Sequence, residues 1–455
     1  MFAHPVRSLC FNRCAVGRIA NFSSVAAMAS NKFRLPDKYQ GLEKNVWVEF
    51  IQLALENKPV NLGQGFPDFA APDYVTGSLK DVVTGPDVLL NQYTRGFGHP
   101  RLIAALSKLY SGFVGRNING ATEIIVTVGA YEALFCSIMG HVNSGDEVIV
   151  IEPFFDCYEP MIRLAGGVPR FIPLRPKRKE GVVHASDFVL DEAELESMFN
   201  EKTKAIIVNT PHNPLGKVFT ADELQTIANL CQKYNCLAIM DEVYEHMVFE
   251  GQKHIRMATL PGMWDRTITI GSAGKTFSVT GWKLGWAYGP AELIRNLQVA
   301  HQNAIYTCCT PIQDAVARAF ELEMSRLSSP ECYFNSISVE LQTKRDFMVK
   351  FLKEAGMVPV IPEGGYFMLA NWEPLAPKLL EHLKDEPDPE LDYKLVKWMS
   401  KHHKLQGIPP SAFYCADHKN LGEKYIRFCF IKEDENLEKA AEILKHLKLT
   451  LDSRL

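Results

Sequence analysis

No stretch of the sequence approaches the ~20 consecutive apolar residues needed to cross a bilayer, so no membrane partner is expected. Strong charge of either sign is missing too. Lys and Arg number 49 against 53 Asp and Glu, a net charge of −4 over 455 residues, which leaves no basic footprint for nucleic acid. The 11 cysteines include no CxxC pair, and Cys308 and Cys309 are adjacent. That spacing suits neither a disulfide framework nor a zinc site, so no metal is expected and a reducing compartment is the simpler reading. There is no internal repeat and no low-complexity tract. Acidic residues are absent locally: the first is Asp37, and before it stand Arg7, Arg13, Arg18, Lys32, Arg34 and several serines. This is the composition of a mitochondrial transit peptide. Residues 1–32 are therefore expected to be a transit peptide or disordered tail, with the protein in the mitochondrial matrix, while Met28 could start a shorter cytosolic form.

What is present describes a globular protein: 47% apolar and 22% charged residues, in a chain longer than one core usually fills, so two domains are expected. From Ala121, short apolar runs alternate with helical stretches: "EIIVTVG", "AYEALFCSIMGHV", "DEVIVIEPFF", "TKAIIVNTP", "ADELQTIANLCQKYNC", "CLAIMDEVY", "TITIGS". Runs such as Ala205-Ile206-Ile207-Val208 lack polar alternation, which predicts strands buried on both faces in a parallel sheet covered by helices, an α/β architecture. The pattern turns helical after "LGWAYGP", and a smaller α+β unit follows with "GGYFMLANW", "KYIRFCFI" and a closing helix "ENLEKAAEILKHLKL". The expected division is 33–75 as an N-terminal arm and part of the small domain, 76–330 as the large domain, and 331–455 as the small C-terminal domain.

The most telling stretch is "ITIGSAGKTFSVTGWKLGW", with Lys275 after small residues and Lys283 eight positions on. Gly-Lys-Thr also ends a P-loop, but a P-loop needs glycine six residues before its lysine to begin the phosphate-cradling turn, and Thr269 occupies that position. The other chemistry open to such a lysine is a covalent bond with the aldehyde of pyridoxal phosphate. That cofactor needs an anion at its pyridine nitrogen, donors to its ring hydroxyl, phosphate-binding amides, a stacking ring, and a cation for the substrate carboxylate. Each has a candidate. Asp241 ends an apolar strand in "AIMDEVYEHMVF", with Tyr244 three residues on. Asn213 lies between prolines in "NTPHNPLGKVF", and Gly129, Ala130 and Tyr131 stand at a strand-to-helix junction, where free N–H groups favour phosphate. Ser272 and Lys283 flank Lys275 and could complete the phosphate cup. Phe155 could stack on the ring, and Arg427, inside the apolar strand "YIRFCF", could fork a carboxylate. Singly, each has an ordinary explanation: a helix cap for Asp241, a turn for Asn213, the core for Phe155, a buried ion pair with a glutamate for Arg427.

Together, these residues resemble a fold-type I aminotransferase of the aspartate aminotransferase superfamily. The resemblance runs from about Phe33 onward and is carried by "NLGQGFPDF", "NQYTRGFGHPRL", "IEPFFDCYEP", "NTPHNPLGKVF", "DEVYEHMVF" and "SAGKTFSVTGWKLGW". Within that superfamily the chain is similar to the kynurenine aminotransferase and cysteine-S-conjugate β-lyase group, its third type in particular. The resemblance implies a large domain with a mostly parallel seven-stranded sheet between helices, plus a smaller α+β domain. It implies that Lys275 carries pyridoxal 5'-phosphate and then moves the proton. It gives Asp241 to the pyridine nitrogen, Tyr244 and Asn213 to the ring hydroxyl, and Phe155 to stacking. Gly129, Ala130, Tyr131, Ser272 and Lys283 go to the phosphate or cofactor shell, and Arg427 with Asn213 and the Gly65 backbone to the substrate carboxylate. Trp47 becomes a wall of the substrate pocket, and Tyr93 reaches the partner subunit's phosphate, which implies a homodimer with shared sites. Amino acids, including kynurenine, glutamine, methionine and phenylalanine, are the implied donors, 2-oxo acids the acceptors, and cysteine conjugates the β-elimination substrates. A dedicated C–S lyase or synthase on the same fold is the alternative. Tyr306 and Thr307 replace a phenylalanine-histidine pair of the first-type enzyme, which implies a side-chain pocket of different polarity.

Overall fold

The uninterrupted apolar runs become the strands of one seven-stranded sheet. In chain order these are β1 (Ile124–Thr127), β2 (Glu147–Glu152), β3 (Val168–Pro173), β4 (Thr203–Asn209), β5 (Leu237–Asp241), β6 (Thr267–Ser272) and β7 (Gly285–Tyr288). Their spatial order is β1-β7-β6-β5-β4-β2-β3. All neighbouring pairs are parallel except those of β7, which runs antiparallel to both β6 and β1. The computed structural model describes residues 33–43, 45–177 and 181–453; the expected transit peptide, residues 1–32, lies outside them.

The missing polar alternation has a direct cause. On β2, Val148 and Val150 join one apolar cluster while Ile149 and Ile151 join another; on β4, Ala205 and Ile207 separate from Ile206 and Val208 in the same way. Successive side chains of a strand point to opposite faces, so both faces are covered, one by the helices Gly129–Met139 and Ala291–Ala304, the other by Ala221–Lys233 and, near β1 and β7, by Pro100–Val114 and Thr310–Met324. Helix Ala221–Lys233 starts sharply because Thr220 caps the Glu223 N–H and Glu223 returns to the Thr220 N–H, a capping box.

A second sheet of four strands, in the order Tyr425–Cys429, Phe367–Asn371, Val358–Ile361, Val183–His184, belongs to the C-terminal part, except that its last strand comes from within the segment that supplies the large sheet. Strand Val60–Asn61 pairs in parallel with Leu405–Gln406, and Gln406 Nε2 donates to Phe50 O at 2.9 Å, which ties helix Val46–Asn57 to that C-terminal part. Both sheets lie in one compact unit from Asn45 onward; Phe33–Glu43 belong to a separate unit. Among the described residues no helix is long and apolar enough to cross a membrane.

Candidate active site

The parallel strands β1, β2, β4, β5 and β6 all end at one edge of the sheet, where open α/β sheets bind ligands. A cavity of about 320 Å³ opens there. It is lined by Trp47, Gly65, Gly129, Ala130, Tyr131, Phe155, Asn213, Asp241, Tyr244, Ser272, Lys275, Lys283 and Arg427. These are all the cofactor-binding and substrate-binding residues expected from the sequence except Tyr93, which is 84% exposed with its ring edge-on to Tyr306 at 5.9 Å. Neither Tyr306 nor Thr307 lines the cavity.

Lys275 sits in the single turn Ala273–Thr276 directly after β6. Thr269, where a P-loop would need glycine, is instead the middle of β6, paired with Met240 on one side and Tyr288 on the other. The phosphate-loop reading is excluded by this regular strand. The Lys275 amine donates to the Tyr366 hydroxyl and, at 3.4 Å, to Gly65 O, and Tyr366 donates to the same carbonyl at 2.9 Å. Burial lowers the Lys275 ammonium to about 8, with Lys283 and Arg427 pushing the same way.

Asp241, the last residue of β5, is buried. Its Oδ2 accepts from the Tyr158 hydroxyl at 2.5 Å, and its Oδ1 has no partner among the described residues. Burial pushes the carboxyl up to about 6, while the Tyr158 hydroxyl holds it down, so the group is mostly ionised at neutral pH. A buried carboxylate oxygen with no donor costs free energy unless a guest supplies one. Next to it, Asn209 at the end of β4 donates its amide to Asp241 O at 2.8 Å and accepts from the Asn213 N–H at 2.6 Å. That pair locks the proline loop onto the strand end.

At the other end of the cavity, Gly129 begins helix Gly129–Met139 with φ +73°, a conformation that favours glycine. A Cβ at Gly129 would stand 3.4 Å from Lys283 Nζ, which puts that ammonium over the helix N-terminus. Free amides, the positive end of the helix dipole and a lysine make an anion site. Gly285 allows this close approach, since a Cβ there would lie 2.5 Å from Ala130 N. The Tyr131 and Phe155 rings meet edge-on at 6.3 Å, and burial raises the Tyr131 hydroxyl to about 12.

Arg427 is 0% exposed in the strand Tyr425–Cys429, all of whose residues are buried. It donates to Asn213 Oδ1 at 3.1 Å and Gly63 O at 2.7 Å; its Nε has no partner. The Phe367, Phe413 and Trp47 rings surround it at 4.1, 5.1 and 5.2 Å. Its guanidinium makes no ion pair among the described residues, so the buried glutamate partner considered from sequence is not there. Burial lowers it to about 10. Trp47 Nε1 donates to Asp156 Oδ1 at 3.0 Å, which fixes the indole as a wall.

Among the lining or supporting residues that the sequence did not reveal are Tyr158, Asn209, Tyr366 and Phe367. Tyr158 had a local signal, standing one helical turn after Phe155 in "FFDCYEP". Tyr366 and Phe367 had a weaker one, the glycine pair in "EGGYF" that brings backbone close to Gly216 and Met247.

The family model for aminotransferase class I and II matches residues 57–444. The chain is 55% identical over 429 residues to human kynurenine–oxoglutarate transaminase 3, across 94% of this chain and 93% of that one. It is 45% identical to human kynurenine–oxoglutarate transaminase 1, across 91% and 98%. The solved N-succinyldiaminopimelate aminotransferase of Mycobacterium tuberculosis matches with a TM-score of 0.81 at 34% identity, over 91% of this chain and 100% of that one. Sequence, sheet order and strand-end cavity agree, and the chain belongs to the class I and II aminotransferases, with their fold-type I architecture.

Proposed function

We propose that this chain uses pyridoxal 5'-phosphate to transfer the amino group of L-kynurenine, and of glutamine, methionine and aromatic amino acids, to a 2-oxo acid. The observation that carries this reading is the convergence on one cavity of Lys275, Asp241 with an unpartnered oxygen, and Arg427 with no counter-ion. The residues present fit the cofactor: an orphaned carboxylate oxygen for its ring nitrogen, and helix amides with Lys283 for its phosphate.

When bound, pyridoxal phosphate supplies an aldehyde that exchanges amino groups and a ring that withdraws electrons from the substrate α-carbon. Asp241, its carboxylate fixed by Tyr158, would hold the ring nitrogen in its protonated form. Tyr244 and Asn213 serve the ring hydroxyl, Phe155 its face, and Gly129, Ala130, Tyr131, Ser272 and Lys283 the phosphate end. Arg427 clamps the substrate α-carboxylate with Asn213 and the Gly65 backbone, while Trp47 walls the side chain. Lys275, neutral above about 8, would take the proton from the substrate α-carbon and hold it for return. A 2-oxo acid then enters the same clamp and the proton transfers run in reverse. Where the substrate carries sulfur on its β-carbon, loss of the α-proton to Lys275 lets the carbon–sulfur bond break, the electron pair leaving with sulfur. Hydrolysis then gives pyruvate and ammonia. The exposure of Tyr93 outside its own chain's cavity supports a homodimer in which that hydroxyl serves the partner's phosphate, and the basic, acid-free leader supports import into the mitochondrial matrix.

The test is an absorption spectrum of the purified protein with borohydride trapping and peptide mapping, repeated with L-kynurenine and no oxo acid. A visible band trapped on Lys275 and shifted by kynurenine to the amine form is expected. A trapped band that kynurenine does not shift would remove the substrate, and no band at all would remove the cofactor.

A further inference from the structure

Two clusters of metal-ligating side chains form among the described residues, Glu132–His301–Cys308 and Glu152–Cys415–His418. The first is sealed: all three residues are buried, and Glu132 and His301 already satisfy the Val128 N–H, each other and Gly96 O. The second also has a partnered carboxylate, Glu152 accepting from the Cys415 N–H at 2.5 Å through Oε1 and meeting His418 Nδ1 through Oε2, but it is open to entry. Glu152 is 0% exposed at the end of β2, whereas Cys415 and His418 are half-buried on the segment that follows Phe413. We propose that Glu152, Cys415 and His418 form a binding site for a borderline-soft divalent cation of the zinc class, joined mechanically to the substrate cavity.

The donor set supports that class. One thiol, one imidazole nitrogen and one carboxylate, with a fourth position for water, match zinc's mixed preference and not that of calcium or magnesium. The spacing supports it as well. Cys415 Sγ and His418 Nδ1 are 3.5 Å apart, and tetrahedral bonds of ~2.3 Å to sulfur and ~2.0 Å to nitrogen place such atoms about 3.5 Å from one another. All three ligand atoms lie within 4.8 Å of one another. His418 Nδ1 and Glu152 Oε2 are now in direct hydrogen-bond contact, so the cation would take the place of the proton between them. The imidazole then carries its proton on Nε2, and the Cys415 thiol proton passes to solvent.

The Glu152 segment continues into the cavity, and the Cys415–His418 segment reaches two residues of its wall. Phe154 N donates to Phe413 O at 2.8 Å, Phe155 lines the cavity, and the Phe413 ring lies 5.1 Å from the Arg427 guanidinium and 6.3 Å from the Trp47 ring. A cation seated between His418 Nδ1 and Glu152 Oε2, which now touch, must part them, since tetrahedral bonds of ~2.0 Å hold such atoms about 3.3 Å from one another; that displacement passes along the chain to Phe413, against the substrate clamp.

The experiment titrates cobalt(II) into chelator-treated holoenzyme and follows ligand-field bands at the red end of the spectrum, clear of cofactor absorption, with zinc competition for affinity. One cation per chain with a tetrahedral, thiolate-containing spectrum is expected. Since disturbing even an outer partner of a metal ligand costs about 10–100-fold in affinity, C415S and H418A should each weaken binding at least about tenfold, and C309S, at an exposed control cysteine, should leave it unchanged. Equal binding in C415S, H418A and the parent overturns the site. The link to the cavity rests on the proposed amino-acid substrate and is read separately, as a zinc-dependent change in KM for L-kynurenine that vanishes in C415S; an unchanged KM in the zinc-loaded parent overturns the link and leaves the binding result standing.

Discussion

Replacing Arg427 by methionine separates the clamp reading from a structural one, because the two predict opposite balances of stability and activity. Arg427 has an ordinary value of 12.5 lowered to about 10 by burial. At 1.36 kcal/mol per pH unit, that displacement means the buried cation costs the folded chain about 3 kcal/mol at neutral pH. Methionine removes this cost at similar volume. It also leaves Asn213 Oδ1 and Gly63 O without their donor, at about 1–3 kcal/mol each. The two effects largely offset each other, so the unfolding free energy should fall by no more than about 3 kcal/mol. Had Arg427 balanced a buried carboxylate, its removal would destabilise by about 3–5 kcal/mol. Activity should not be spared. A guanidinium fork makes two charge-assisted hydrogen bonds to a carboxylate, each about 1.5–3 kcal/mol, so kcat/KM for L-kynurenine should fall by about a hundredfold to ten-thousandfold. The assays are urea unfolding of the cofactor-free proteins and kynurenic acid formation by the reconstituted ones. A loss of stability of about 4 kcal/mol or more, or a fall in kcat/KM of less than about tenfold, would refute the assignment.

Two further outcomes follow from the same cavity. In Tyr158→Phe the Asp241 carboxylate loses its hydroxyl donor, and a hydrogen bond to a charged group is worth about 1.5–3 kcal/mol; cofactor affinity should shift about tenfold to a hundredfold by equilibrium dialysis, and an unaltered affinity would show that Tyr158 only packs. Lys275 captures an aldehyde only as the neutral amine. With its folded value lowered to about 8, capture of pyridoxal phosphate by the apoprotein should speed up about tenfold per pH unit below 8 and level off above it, so a flat rate between about pH 6 and 9 in stopped-flow absorbance would contradict the lowered value.

What could be read in advance follows from how local each cause is. Lys275 and Asp241 were legible because a buried parallel strand leaves its own mark, an apolar run that stops at a polar residue, and strand ends are where such sheets meet ligands. Their partners left no such mark. Tyr158 reaches Asp241 from the end of β2, across β4, and Tyr366 reaches Lys275 from the other sheet; both contacts exist only once sheet order is known. Strand Val183–His184, two residues long, is too short to show any period, so its crossing into the four-stranded sheet could not be anticipated. Arg427 shows the limit most clearly. Its burial followed from the apolar strand around it, but whether it met a glutamate or nothing depended on what two other segments, at Gly63 and Asn213, brought to it. They brought a carbonyl and an amide, neutral groups that hold the fork in place without discharging it. A fold that aims a cation into a cavity in this way, and withholds the carboxylate that would quiet it, leaves the charge for a substrate to meet.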